Sequence, residues 1–274
     1  MSRTDAPSAP SGPPTLASAW YTIAALWRRE ILKFVRDRSR LIGALAQPFG
    51  FWLLLGLGFQ GTFRMPGAEG VGYMEFLFPG IVALILLFTA VFTTINIVEE
   101  RQSGFLQAAL TAPAARATLV LGNTLGGTTL AVVQAALFVA LAPLVGLTPD
   151  AAGLALILAA SLFTALAFTT LGFLIAWHMD STRGFHAVMN LFLLPLWFLS
   201  GAAFPAEGAS AVLRWLIRLN PVSYAVDALR QGLYGSALPT APLATPAADL
   251  LVCGGFAAVL LALAVWRARR PLFG

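Results

Sequence analysis

Charge is scarce in this sequence. Asp, Glu, Lys and Arg make up 11% of its 274 residues, less than half of the roughly quarter share found in a soluble domain, so there is too little polar surface to cover a core in water. Lysine occurs once, as Lys33 in a basic segment. That excludes a G-x-x-x-x-G-K-[ST] phosphate loop, and any ATP used has to be hydrolysed by another polypeptide. The single cysteine, Cys253, lies inside an apolar run, which excludes a disulfide framework and a thiol cluster. What is abundant is apolar: 58% of residues are hydrophobic and the mean hydropathy is +0.81, a composition that needs a bilayer. The 17 basic residues outnumber 12 acidic ones for a net +5. They gather at the ends of apolar runs rather than in a tract, so the charge reads as membrane topology and not as nucleic-acid binding.

A bilayer core takes about 20 apolar residues as helix. Six stretches qualify: Leu41–Phe59, Phe76–Val98, Leu119–Leu147, Ala151–Trp177, Ala187–Phe204 and Leu250–Trp266. The expected fold is therefore all-α and polytopic, with the third and fourth spans joined as a hairpin through Thr148–Pro149–Asp150. With the N-terminus inside, thirteen Lys and Arg residues fall in inner segments, against Arg64, Arg214, Arg218 and Arg230 outside, which gives an N-in, C-in topology. Residues 1–19, rich in Ser, Pro and Ala, hold no apolar core for a signal peptide and are expected to be a disordered tail.

Two connecting regions carry helical patterns of their own. Trp20–Arg36 sets Trp20, Ile23, Leu26, Trp27, Ile31 and Phe34 against Arg28, Arg29, Glu30, Lys33 and Arg36. This predicts an amphipathic helix on the cytoplasmic leaflet, with arginines on lipid phosphates, the alternative being a charged lead-in to the first span. In the long fifth connection, Pro205 to Ala248, Val212–Leu219 reads as a short helix with Arg214 and Arg218 on one face. Asn220–Pro221 then caps a second amphipathic helix, Val222–Tyr234. Both are placed outside, and a re-entrant course is left open because broken backbone at membrane depth needs protein or water to satisfy it.

The span interiors as drawn hold no Asp, Glu, Lys or Arg, which argues against an ion-coupled carrier. Their polar groups are neutral, among them Gln47, Thr93, Asn123, Gln134, Thr169 and Asn190, and these either bond helix to helix or line a route. His178, His186 and Asp180 are too sparse for a zinc motif. Ser210 lies on the other side of the membrane from both histidines, so no base reaches it. The inner segment from Glu99 through Gly104 to Pro113 continues as a short apolar-faced helix, with Phe105, Leu106 and Leu110, that could dock into a partner's groove.

These residues carry a resemblance. "FPGIVALILLFTAVFTTINIVEERQSGFLQAALTAPAARATLVLGNTLGG" (Phe78–Gly127), "LSGAAFP" (Leu199–Pro205) and "LNPVSYAVDALRQGLYG" (Leu219–Gly235) closely resemble the signature regions of ABC-2 type permeases, the membrane subunits of bacterial ABC exporters. The resemblance implies a transmembrane domain over residues 20–274 in the bacterial cytoplasmic (inner) membrane. It implies a second permease copy, identical or related, and two ATPase subunits on the cytoplasmic side. This chain would bind no cofactor itself, ATP and magnesium being held by the partner. The ATPase-facing surface would be Trp27, Arg28, Arg29, Glu99, Glu100, Arg101, Gly104, Phe105, Pro113, Asp180 and Arg183. The outer gate would be Asn220, Pro221, Tyr224, Asp227 and Arg230. Neutral, aromatic-rich spans suit an amphipathic or lipid-like cargo, such as a drug, lipid or lipid-linked glycan. Arg214, Arg218 and Arg230 stand where an anionic headgroup would leave, although Asp227 and Arg230 can equally pair at i,i+3. The alternative function is a non-transporting membrane scaffold or sensor that also uses an ATPase.

Overall fold

The computed structural model describes residues 16–59, 70–104, 116–205 and 210–269. Among the described residues all regular structure is helical. The helices are α1 (Leu16–Arg36), α2 (Arg38–Phe59), α3 (Tyr73–Phe92), α4 (Ile95–Gln102), α5 (Arg116–Val139), α6 (Ala151–Ala176), α7 (Thr182–Phe198), α8 (Ala211–Leu219), α9 (Pro221–Tyr234) and α10 (Pro246–Arg269). Among the described residues, four apolar stretches have the length and composition to cross a membrane: Tyr73–Gln102, Ala117–Val139, Ala151–Ala176 and Pro246–Ala268.

The first expected span, Leu41–Phe59, is helical throughout as part of α2, whereas the fifth comes out shorter. The run Ala187–Phe204 is helical only to Phe198. Pro195 lies in its last turn, and Gly201 takes a φ of +75°, a left-handed conformation open to glycine and closed to a continuing helix. The expected third span ends early for a similar reason, passing at Val139 into a turn and a 3-10 segment, Ala142–Val145, that stops at Gly146 with a φ of +83°. Asp150 then caps α6, its Oδ1 accepting from the Gly153 amide at 2.7 Å, which replaces one orphan donor of the new helix.

α3 is the axis of the bundle. Within its membrane-length window 89% of residues are buried by the rest of the chain, against 28% for α10. A helix apolar all round must be enclosed by protein or lipid; α3 is enclosed by α2, α5, α6, α7 and α9, whereas α10 turns Leu251, Val259 and Trp266 outward. Between α3 and α4 the helix is interrupted at Thr93 and Thr94, whose hydroxyls donate back to the carbonyls of Ala90 (2.8 Å) and Val91 (2.7 Å). Such back-bonding bends helices. The bend sits where neighbours come close: a Cβ on Gly127 of α5 would lie 2.4 Å from Thr93 Oγ1, and one on Gly172 of α6 2.7 Å from Thr94 Oγ1.

Small residues also set where α1 goes. It does not rest on its own as a surface helix but crosses α5 at Gly122 and Gly126, the G-x-x-x-G spacing that lets two backbones approach. A Cβ there would meet Leu26 Cβ at 2.5 Å and Glu30 Cβ at 2.7 Å. Gly126→Val is therefore expected to push α1 off α5 and destabilise the chain by about 1–3 kcal/mol, seen as a lower melting temperature in detergent. Gly255→Ala on α10, where a Cβ meets nothing within 4 Å, serves as the control and should show no loss.

Candidate functional site

Two polar clusters occupy opposite ends of the bundle. At the first, Glu100 of α4 receives two cations from α1: Lys33 Nζ lies 2.7 Å and a terminal nitrogen of Arg29 2.8 Å from its Oε1. Glu30, itself buried, accepts from Arg29 at 2.9 Å and from the Asn96 amide at 2.7 Å. Trp27 Nε1 donates to Thr129 of α5 at 3.0 Å. A single ionic network thus ties α1 to the end of the central α3–α4 rod. This corrects the expected leaflet placement for one residue: Arg29 faces carboxylates of its own protein rather than lipid phosphates.

Beside it, a second set of contacts joins α4 to the connection between α6 and α7. Arg101 forms an ion pair with Asp180 at 3.1 Å and donates to the carbonyl of Trp177, and Gln102 donates to the Asp180 carbonyl at 2.7 Å. His178 is joined through Nε2 to Arg267 of α10 at 3.1 Å. After α4 the chain turns at Gly104, whose φ is +75° and whose amide donates to the Arg101 carbonyl at 3.1 Å. Exposure divides the residues that sequence reading grouped together. Arg29, Glu100 and Arg101 are turned inward and hold elements to one another. Arg28, Glu99, Asp180 and Arg183 are exposed on the same end. Phe105 and Pro113 lie outside the described residues.

Glu30, Lys33, Asn96 and Arg267 were not among the expected site residues. The sequence did hold a signal for Glu30: it follows Ile23 by seven and Leu26 by four and precedes Phe34 by four, so it shares the stripe that faces protein.

At the second end, α9 is embedded between α3, α6 and α10. Gly153 and Gly232 make this possible, since a Cβ on Gly153 would lie 2.2 Å from the Gly232 carbonyl oxygen. Asn220 caps α9 by accepting from the Val222 amide at 3.0 Å and anchors it by donating to the Leu196 carbonyl at 2.6 Å; Pro221 opens the helix, where a missing amide hydrogen costs nothing. Tyr224 donates to the Arg218 carbonyl at 2.9 Å, joining α9 to α8.

Asp227 accepts through Oδ2 from the amides of Leu243 (2.7 Å) and Ala244 (3.1 Å) and from Gln231 (3.1 Å). The same Gln231 amide reaches Asp249 Oδ2 at 2.7 Å. Burial pushes the Asp227 carboxyl above the usual range, and the amides of Ala244 and Leu243 and the nearby Arg230 guanidinium pull it partly back. Arg230, also buried, donates to the Gly201 carbonyl at 3.2 Å and lies 4.9 Å from the Phe76 ring centre. Asp249 was missed because it stands one residue before an apolar run. The helix starts at Pro246 and carries this carboxylate, fully buried, on its first turn. Ser210 only caps α8, accepting from the Leu213 amide at 3.3 Å.

Between α1, α2, α3 and α7 a cavity of about 530 Å³ is lined by Phe34, Gln47, Phe92, Thr93, His186 and Asn190 among others. The neutral polar residues of the spans therefore divide. Gln47, Thr93 and Asn190 face this open space, whereas Gln134 accepts from Thr89 between α3 and α5, and Asn123 donates to its own helix at Leu119.

Comparison with known proteins agrees with this architecture. A family model described as ABC-2 type transporter matches residues 21–234. Nodulation protein J of Rhizobium meliloti (strain 1021) is 30% identical over 234 residues, covering 81% of this chain and 84% of its own length. Nodulation protein J of Rhizobium leguminosarum bv. trifolii is 30% identical over 214 residues, 77% of this chain and 80% of its own. A protein named as a transport permease, ycf38, of Cyanophora paradoxa is 24% identical over 208 residues, 75% of this chain and 71% of its own.

Proposed function

This chain belongs to the ABC-2 type transporter family, and from that premise we propose that it is the permease subunit of an ATP-binding cassette exporter whose ATP is hydrolysed by a separate subunit. It is a multi-pass membrane protein and a transport permease. In the proposed arrangement α2, α3–α4, α5, α6, α7 and α10 make six spans in a bacterial cytoplasmic membrane, with both termini inside. A 22-residue α2 extends about 33 Å and a 17-residue α7 about 25 Å at 1.5 Å per residue, so α7 crosses a core of about 30 Å only with local thinning or help from the Leu199–Ala203 turn. Two permeases, identical or related, pair with two ATPase subunits.

The observation that carries this reading is the ionic network at the first end, because it joins a peripheral helix to the central rod. Force applied to α1 from the cytoplasm would reach α3 through Glu100 and α6 and α7 through Arg101. Trp27, Arg29, Glu100, Arg101 and Gly104 hold that lever together, and Arg28, Glu99, Asp180 and Arg183 offer the surface the ATPase touches. At the other end Asn220, Pro221, Tyr224, Asp227 and Arg230 fix α9 as the outer gate. Nucleotide must bind one conformation of the assembly better than the other, since equal affinity moves nothing. The cavity beside Gln47 and Asn190, with aromatic and polar walls that include Asp37, favours an amphipathic or lipid-like cargo.

Purification with the associated ATPase and reconstitution into liposomes tests the proposal. ATP should drive a fluorescent lipid-like cargo across the bilayer, and candidate cargoes should change the ATPase rate. A scaffold or sensor would hydrolyse ATP with no cargo moved.

A further inference from the structure

The second end of the bundle contains a small cavity that the gate does not explain. It occupies about 200 Å³ between α8, α9 and the 240–243 segment, and three of its lining residues are arginines: Arg214, Arg218 and Arg230. From its chemistry we infer that this cavity binds a phosphate-bearing anion.

Arg214 and Arg218 stand at i,i+4 on α8 and are exposed. Like charges at that spacing repel, and neither forms an ion pair among the described residues. The one carboxylate lining the cavity, Asp227, already accepts from two backbone amides and from Gln231. Its charge therefore leaves an excess of cations facing the space. Ser223 also lines the cavity; it is 2% exposed, and its hydroxyl has no hydrogen-bond partner. A buried hydroxyl left unpaired is disfavoured by about 1–3 kcal/mol, so the position implies a ligand atom that completes it. Planar guanidinium forks match phosphate oxygens with two parallel bonds, and a serine hydroxyl adds a second donor type. The cavity is thus furnished for a small oxyanion with several acceptors, not for a cation or an apolar group.

The adjoining face of α8 indicates where that anion comes from. Val212, Trp215 and Leu219 are 71%, 61% and 60% exposed, so α8 presents an apolar face outward and a doubly basic face to the cavity. A helix of this kind lies in a membrane interface with its apolar side among the acyl chains, and tryptophan is enriched at that depth. The cavity then opens at the level of lipid phosphates, which favours a headgroup over a free anion. Such a site exists whether or not the chain moves a cargo.

The test uses the purified chain with its partner subunits in a non-ionic detergent. Phosphatidylglycerol, phosphatidylcholine and inorganic phosphate are titrated separately against wild type, the Arg214→Gln/Arg218→Gln double variant and Ser223→Ala. Phosphatidylglycerol should bind wild type saturably, one per chain, and raise its melting temperature. The double variant should lose at least tenfold in affinity for it and Ser223→Ala about threefold, with phosphatidylcholine binding unchanged in all three. Saturable binding of inorganic phosphate with the same dependence on the variants would support the anion site and assign it to a free anion. Anion binding that is absent, or that is equal in wild type and both variants, overturns the inference. The melting temperatures of the lipid-free variants show that the fold is kept.

Discussion

Reversing one charge, Glu100→Arg, is expected to abolish ATP-driven export, by more than tenfold in initial rate, while the chain still inserts and its partner still hydrolyses ATP. Glu100 is where α1 and the central rod meet. Its side chain is 11% exposed, and it neutralises Arg29 and Lys33, which are 25% and 41% exposed. An arginine in its place gathers three cations within a few ångströms. Removing one partner of a fully buried pair destabilises by about 3–5 kcal/mol and of an exposed pair by about 0–1. This partly exposed site falls between, at about 2 kcal/mol, enough to detach α1 from α4 without unfolding a bundle whose apolar helices are untouched. The glycine crossing of α1 on α5 stays in place, so insertion should be normal. The paired exchange Glu100→Lys with Lys33→Glu restores one opposite-charge contact and should recover part of the export rate. Undiminished export in Glu100→Arg would show that the network is not the route by which the motor acts.

Asp227→Leu is expected to have the larger effect on stability. The substitution leaves the amides of Leu243 and Ala244 without their shared acceptor, while Gln231 keeps Asp249 and the Ala244 carbonyl. At about 1–3 kcal/mol for each of the two buried amides left unpaired, the loss is about 2–6 kcal/mol, and the variant should fail to accumulate. Asp227→Asn keeps an acceptor oxygen and should accumulate.

The two forms also differ in pH response. Burial raises the Asp227 carboxyl above its ordinary value of 3.8, so between those two values the folded chain holds a proton that the unfolded chain has released. Stability from this group therefore rises as pH falls through the raised value, and levels off below the ordinary one. Asp227→Asn should lessen that slope in melting temperatures compared with wild type across the acid range, and an unchanged slope would assign it to another group, first of all Asp249, which shares Gln231 with it.

Hydropathy made most of the bundle legible. The fourth expected span, Ala151–Trp177, and the observed α6, Ala151–Ala176, differ by one residue, because a long apolar run flanked by a cap residue and a polar loop has no competing structure. The places where reading fell short share a cause. Hydropathy sees side-chain polarity but not backbone conformation, so the run through Gly201 looks continuous although its left-handed turn ends α7. It also assigns a charged residue at the edge of a run to water. Glu30 and Asp249 are both such residues, and both are buried, paid for by contacts from helices distant in sequence: Asn96 for the first and Gln231 for the second. For the coupling residues, the segment holding Glu100, Arg101 and Gly104 stood out in the sequence. Which of its charges face inward could be seen only once α1 was placed beside it.

The claim that the motor acts on the α1 end is tested most directly by site-specific photo-crosslinking in the assembled complex. A photoreactive residue at Arg28, exposed at that end, should capture the ATPase subunit, and one at Trp215, exposed at the opposite end, should not. An ATPase adduct at Trp215, or none at Arg28 in a complex that still hydrolyses ATP, would contradict the account.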